Sequence, residues 1–331
     1  MRIALDAMGG DHAPGPIVAG AVQAVQADPE LTVVLVGDQA QVEPLLPADA
    51  DRSRLEIFHC TQTVGMDEKP TVALRTKPDS SIRRCWELLA FQKVDGIVSA
   101  GNTGAMVAGG HISKRVLPEV HRPGIATVMP SEKGPVVLID VGANTEAKPE
   151  HLLQYGIMGA VYAKHILNIP EPLIGLMNVG EEEGKGNPVT KEAHALLSAL
   201  GPRFKGNVEG RDVQQGVVSV VVCDGFVGNI LLKYSEGVSA YLIKAIQTEL
   251  LPLLTTDKES VLGAWKQLMM RYDYATYGGA PLLGIDGACI ICHGSSRERA
   301  IKNALGVAAQ FARTHLNEVI VQELRATTPK A

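Results

Sequence analysis

Short uninterrupted apolar runs alternate with longer, partly apolar stretches from one end of the chain to the other. The runs predict strands at Arg2–Asp6, Thr32–Gly37, Leu55–His59, Asp95–Ser99, Ile125–Met129, Val136–Asp140, Leu173–Met177, Val217–Cys223 and Ala288–Cys292. Several are continuous Val, Ile and Leu rather than alternating, as in strands covered on both faces of a parallel sheet. The intervening stretches predict helices at Pro16–Gln26, Ser81–Gln92, Gly104–Leu117, Glu150–Leu167, Thr190–Ala199, Gly228–Leu250, Lys258–Met270 and Arg297–His315. Such alternation predicts a three-layer α/β/α sandwich with a mostly parallel sheet. No repeat, low-complexity tract or linker divides it, so residues 1–331 read as a single α/β/α unit.

One stretch breaks the pattern. Leu250, Leu251, Leu253 and Leu254 precede Thr255-Thr256-Asp257, and Val261, Leu262, Trp265, Leu268 and Met269 follow. This predicts a protruding amphipathic helical hairpin over 240–271 with an apolar tip. Packing in a core or against a second subunit fits that tip, and so does contact with a membrane surface.

Composition narrows the class. Lys+Arg number 31 and Asp+Glu 36, a net charge of −5, with 46% hydrophobic and 20% charged residues. That excludes a disordered, collagen-like or coiled-coil chain. Negative charge and only 4% aromatic residues argue against nucleic-acid binding. Met1–Asp6 reaches an acidic residue too soon for a secretory signal, and no apolar run is long enough to span a bilayer. Five scattered cysteines read as reduced, hence a cytoplasmic expectation. Cys289-Ile290-Ile291-Cys292-His293 has haem-attachment spacing, but it reads better as two small hydrophobes of a core strand.

The chemistry gathers just after strands, where ligands bind in open α/β sheets. The turns are Asp6-Ala7-Met8-Gly9-Gly10-Asp11-His12, Ser99-Ala100-Gly101-Asn102-Thr103-Gly104, Asp140-Val141-Gly142-Ala143-Asn144, Asp224-Gly225-Phe226-Val227-Gly228-Asn229 and His293-Gly294-Ser295-Ser296. Five small, Gly-bearing turns along one sheet edge would offer many backbone amides to an anion. Ser99–Gly104 is the best cradle; it also reads as a well-capped helix entry, and both readings stay open. Gly180-Glu181-Glu182-Glu183-Gly184-Lys185-Gly186 fails the Walker spacing and excludes nucleoside triphosphates. Lys185 is then either a surface lysine or a cation within reach of an anion. Asp6, Asp11, Asp140 and Asp224 sit where turn formers and caps sit, so no metal site is read from them. His12 and His293 fall in the presumed site without the spacing of a triad.

Taken together these turns, with Ala13-Pro14 after the first and Tyr277-Gly278-Gly279-Ala280-Pro281-Leu282-Leu283-Gly284 before the last, resemble the PlsX family of bacterial phosphate acyltransferases. The match runs in order along nearly the whole chain. The resemblance implies transfer of a fatty acyl group from acyl carrier protein to inorganic phosphate. The acyl phosphate would feed a downstream glycerol-3-phosphate acyltransferase in phospholipid synthesis. It also implies a fold similar to the isocitrate/isopropylmalate dehydrogenases and phosphotransacetylases, a homodimer, peripheral membrane association through the apolar tip, and no cofactor. Catalytic roles carry over to Lys185 and Asn229. Substrate contacts are expected from Asp6, Gly9, Gly10, Asp11, Ser99, Gly101, Asn102, Thr103, Gly104, Asn144, His293, Ser295 and Ser296.

The chemistry accepts this. Phosphate dianion is already nucleophilic, and a thiolate with parent pKa about 8.5 leaves with little acid assistance. What remains is to position phosphate and to stabilise an oxyanion. Docking an acidic carrier on a net-negative chain needs a local basic patch; Arg75, Lys77, Arg83 and Arg84 form one cluster, and Arg203, Lys205 and Arg211 another. Two rivals remain: an NAD-dependent hydroxyacid dehydrogenase on the same fold, which lacks a visible nucleotide loop, and a non-catalytic scaffold for lipid enzymes.

Overall fold

The computed structural model describes residues 1–250, 258–272 and 277–327. Among these residues eleven strands form one sheet: β1 (Arg2–Asp6), β2 (Thr32–Gly37), β3 (Leu55–His59), β4 (Gly96–Ser99), β5 (Gly124–Ser131), β6 (Gly134–Ile139), β7 (Ile174–Met177), β8 (Phe204–Val208), β9 (Val220–Val222), β10 (Ala280–Leu283) and β11 (Ala288–Ile291). Among the described residues twelve α-helices accompany them: α1 (Gly15–Ala27), α2 (Gln39–Val42), α3 (Pro70–Thr76), α4 (Ser81–Ala90), α5 (Thr103–Ile112), α6 (Pro149–His165), α7 (Pro188–Ser198), α8 (Gly210–Gln215), α9 (Gly225–Ala245), α10 (Lys258–Tyr272), α11 (Glu298–Arg313) and α12 (Leu316–Thr327). Every predicted strand is present. β8 and β10 were not anticipated: β8 carries Gly and Asn at the sheet edge, and β10 hides Pro281 in a glycine-rich run.

Alternate residues of one strand serve two cores. Ile3 and Leu5 of β1 pack into a cluster with Ile17 of α1, Tyr155 of α6 and Ile301 of α11. Ala4, between them, packs with Trp86 of α4 and Met106 of α5 on the other face. The sheet is therefore the middle of three layers, as the strand–helix alternation requires.

Strand order is β3-β2-β1-β4-β11-β10-β5-β6-β9-β7-β8. Three pairings are antiparallel, β11–β10, β10–β5 and β5–β6; the others are parallel. Three reversals in a row leave β6, β9, β7 and β8 running opposite to β1, β2, β3, β4 and β11. The expectation of five turns along one edge is thereby corrected. The turns after β1, β4 and β11 lie at one edge, and those after β6, β9 and β7 lie at the other. The cause is the β5–β6 hairpin, closed by Ser131-Glu132-Lys133-Gly134, with Gly134 at φ +123°.

α9 leaves the body of the protein. Of its 21 residues only Gly225 and Gly228 are buried. Phe226, Ile230, Tyr234 and Tyr241 are exposed, spaced to share one face. The expected tip residues Leu251, Leu253 and Leu254 lie outside the described residues, as does the side chain of Leu250. Val261 and Leu262 of α10 are exposed.

Candidate functional site

The first group of turns is built on Asp6. Its buried carboxylate accepts the Ser99 hydroxyl at 2.7 Å and the Met8 amide at 3.2 Å. The Ser99 oxygen in turn accepts the Gly101 amide at 3.0 Å. Burial pushes the Asp6 pKa up, opposed by hydrogen bonds from Ser81, Ser99, Met8 and Gly9. Gly9 closes over the carboxylate so tightly that a Cβ would lie 2.4 Å from Oδ2. Only glycine fits there. The Asp11 amide donates to the Gly294 carbonyl at 2.8 Å, which ties in the third turn. There the His293 Nδ1 lies 2.7 Å from the Ser295 hydroxyl, and buried Ser296 donates its amide to the His293 carbonyl.

Asn102 resolves the two readings of its turn. Its Oδ1 accepts the Ala105 amide at 3.0 Å, an N-cap, while its Nδ2 donates to the carbonyls of Gly65, Met66 and Glu68. The side chain thus clamps the 65–68 loop, which the sequence had not connected to the site, against the cradle. The amides of Thr103 and Gly104 lie in the first turn of α5 and have no intrahelical acceptor. Asn102→Ala should remove the cap, at about 1–2 kcal/mol, and release the clamp. Faster proteolytic cleavage within 63–69 is expected, and unchanged cleavage would contradict the clamp.

The second group is built on Asp140, buried at the end of β6. Its Oδ1 accepts the amides of Ile125, Gly142 and Ala143, and its Oδ2 that of Asn144 at 2.7 Å. Burial raises its pKa and these amides oppose the rise. The Asn144 side chain, expected to meet substrate, donates to the Pro123 carbonyl at 2.6 Å and to the Tyr155 hydroxyl at 2.8 Å. α9 starts on this loop: Asp224 caps it through Phe226 and Val227, and the Gly225 amide donates to the Asn144 carbonyl at 2.8 Å. A Cβ on Gly228 would lie 1.9 Å from the Asp140 carbonyl oxygen. Asn229 comes next. It is exposed, its side chain has no hydrogen bond among the described residues, and it stands 3.9 Å from where a Gly142 Cβ would be. Its amide is open to a substrate.

Lys185 projects from the loop after β7, with its side chain 53% exposed and Nζ 3.8 Å from Glu182. Asn178 and Asn207 brace the loop through the carbonyls of Lys185 and Glu182. Each group is held internally by hydrogen bonds; the sheet relates one to the other. Asp224 spends its oxygen on its own turn, whereas Asp6 also holds Ser99 of the neighbouring turn and Asp140 also holds the Ile125 amide of β5. Cys289 and Cys292 are buried in the core, as expected, and burial pushes the Cys292 thiol up to about 12.

Comparison with known proteins identifies the family. A family profile described as "Fatty acid synthesis protein" matches residues 1–319. A phosphate acyltransferase from Nitratidesulfovibrio vulgaris (strain DP4) is 47% identical over 328 residues, covering 98% of this chain and 95% of that relative. The chain belongs to the phosphate acyltransferase family. Another phosphate acyltransferase, from Brevibacillus brevis, is 45% identical over 335 residues, covering 99% and 98%. A phosphotransacetylase from Streptococcus pyogenes superposes with TM-score 0.64 at 19% identity, covering 95% of this chain and 94% of that one. The EutD phosphotransacetylase from Staphylococcus aureus gives TM-score 0.60 at 16% identity, covering 94% of each. At such identities the superpositions speak for a shared fold alone.

Two further features bear on this family member's surface. Among the described residues no helix is long and apolar enough to cross a membrane. The basic clusters read from sequence are largely compensated: Lys77 pairs with Glu68, Arg83 with Glu87, Arg84 with Asp79 and Glu87, Arg203 with Glu323, and Arg211 with Glu181 and Glu209.

Proposed function

We propose that this phosphate acyltransferase moves a fatty acyl group from an acyl carrier protein thioester to inorganic phosphate, for use in phospholipid synthesis. The observation that carries the reading is the open Asn229 amide, presented on a helix start that Asp140 and Asn144 hold rigid. In this reading Asn229 donates to the thioester oxygen as it gains charge. Lys185 offsets the charge of the phosphate, and the free amides of Thr103 and Gly104 cradle it. Phosphate oxygen attacks the thioester carbon, the carbon–sulfur bond breaks, and the carrier leaves as thiolate. No step calls for a base, since phosphate dianion carries its own lone pairs.

Twist supports a cleft shared by the two groups. Neighbouring strands rotate by about 20–25°. The four steps from β4 to β6 therefore turn strand direction through roughly 90°, so the two edges meet at an angle instead of facing apart. The exposed apolar face of α9 supports a homodimer or a membrane contact. We infer the homodimer, because an apolar stripe along several turns suits a second copy of the same helix.

The test is direct. Protein, acyl carrier thioester and phosphate should yield acyl phosphate, trapped by hydroxylamine, with one free carrier thiol per acyl group. Thiol release that does not depend on phosphate, or none, would overturn the reading.

A further inference from the structure

The proposed reaction brings two phosphoryl groups to the protein: the reactant phosphate, and the phosphodiester that ties a carrier's thiol arm to its protein. The amide cradle after β4 answers to one of them. A cluster of positive charge beside the Asn229 loop is left over. The His121 amide donates to Gln154 at 2.9 Å, and Gln154 donates to the Glu119 carbonyl at 2.7 Å. On the other side the Pro123 carbonyl is held by Asn144. Arg122 is thus fixed between two anchored neighbours, yet it is exposed and has neither an ion pair nor a hydrogen bond among the described residues.

Lys148, just before α6, is exposed and likewise unpaired, and its backbone amide donates to His151 Nδ1 at 3.1 Å. The His121 and His151 rings lie 6.1 Å apart, centroid to centroid. Burial and the Arg122 charge hold His111 below the ordinary imidazole value. Burial does the same for His151, with His121, Arg122 and Lys148 adding to it and Glu150 opposing. The permanent charge is therefore on Arg122 and Lys148. Glu150 is the facing carboxylate, while Glu119 is taken by Arg325 at 3.3 Å. Unlike Lys77, Arg83, Arg84, Arg203 and Arg211 of the clusters read from sequence, Arg122 and Lys148 form no ion pair among the described residues, with Glu150 the carboxylate nearby. It also adjoins the reactive loop, because the Asn144 that holds Pro123 gives its carbonyl to the first residue of α9.

We propose that Arg122, with Lys148 beside it, binds a substrate's phosphoryl oxyanion on the Asn229 side of the cleft. The proposal rests on the acyl-transfer reading for its substrates. A charge-assisted hydrogen bond of this kind is worth a factor of about 10 to 100 in affinity.

The experiment uses the full chain and its Arg122→Gln, Arg122→Lys and Lys148→Gln variants, titrated by calorimetry. The probes are inorganic phosphate, an S-acyl phosphopantetheine and the S-acyl pantetheine that lacks the phosphate. Arg122→Gln should weaken one phosphate-bearing probe about 10- to 100-fold, with Arg122→Lys intermediate and the melting temperature unmoved. Loss on inorganic phosphate assigns the site to the reactant. Loss on the phosphopantetheine probe, without change on the pantetheine, assigns it to the carrier arm. Binding of both probes within twofold of wild type by Arg122→Gln overturns the proposal. If the wild type is active and that result is found, only this site falls; if Arg122→Gln loses binding while the wild type makes no acyl phosphate, the reaction falls and the site stands.

Discussion

Asn229→Ala is expected to lower kcat by about 100- to 1000-fold, the usual cost of removing one oxyanion donor. KM for phosphate should change little, because the lost hydrogen bond strengthens only as charge develops on the thioester oxygen. Stability should also change little. The side chain is exposed and makes no hydrogen bond among the described residues, so its removal leaves no buried group unpaired. Asn229→Asp provides the sharper contrast, since an acceptor replaces the donor at nearly constant shape and repels the forming oxyanion. Steady-state kinetics on both variants check this. Turnover near wild type in Asn229→Ala would remove Asn229 from the chemistry.

Gly228→Ala should be the most damaging single methyl in the site. The added carbon would stand 1.9 Å from the Asp140 carbonyl oxygen and 2.9 Å from the Cys223 sulfur. Neither the strand end nor its loop can yield, because the Asp140 carboxylate beside it is held by four backbone amides. The start of α9 must lift instead, and Asn229 moves with it. Overpacking of this kind costs about 1–3 kcal/mol, and displacing a catalytic group by about 1 Å can cost 100-fold in rate. The expected result is a lower melting temperature together with at least a hundredfold loss of kcat. Gly306→Ala is the control. It sits in α11 with nothing within 4 Å of its Cβ, so the better helix former should stabilise by about 0.5–1 kcal/mol. A Gly228→Ala protein with normal turnover would mean that the Asp140–α9 contact does not position Asn229.

Much of the site was legible as local chemistry. Asp224 caps the helix that carries Asn229, and Asn102 caps α5, both as a short polar side chain before an apolar helix suggests. What each side chain does beyond its own turn was less legible. Asn102 and Asn144 look like ligands in the sequence, yet their amides are spent on carbonyls 21 or more residues away. Lys77, Arg83 and Arg84 look like a docking patch, yet each meets a carboxylate. Arg122, which reads as an unremarkable residue before a proline, keeps its charge free.

The sequence by itself determined the three layers, the eleven-strand core except β8 and β10, and the places where the chain turns. Periodicity and turn preference are short-range properties, written in neighbouring residues. Only the tertiary structure decided the direction of the second half of the sheet. One trace of it was local: the gap between Met129 and Val136 is too short for a parallel crossover, which takes a dozen or more residues. The other two reversals depend on β10 entering between β11 and β5, strands far apart in the chain, and no local pattern specifies a partner at that distance.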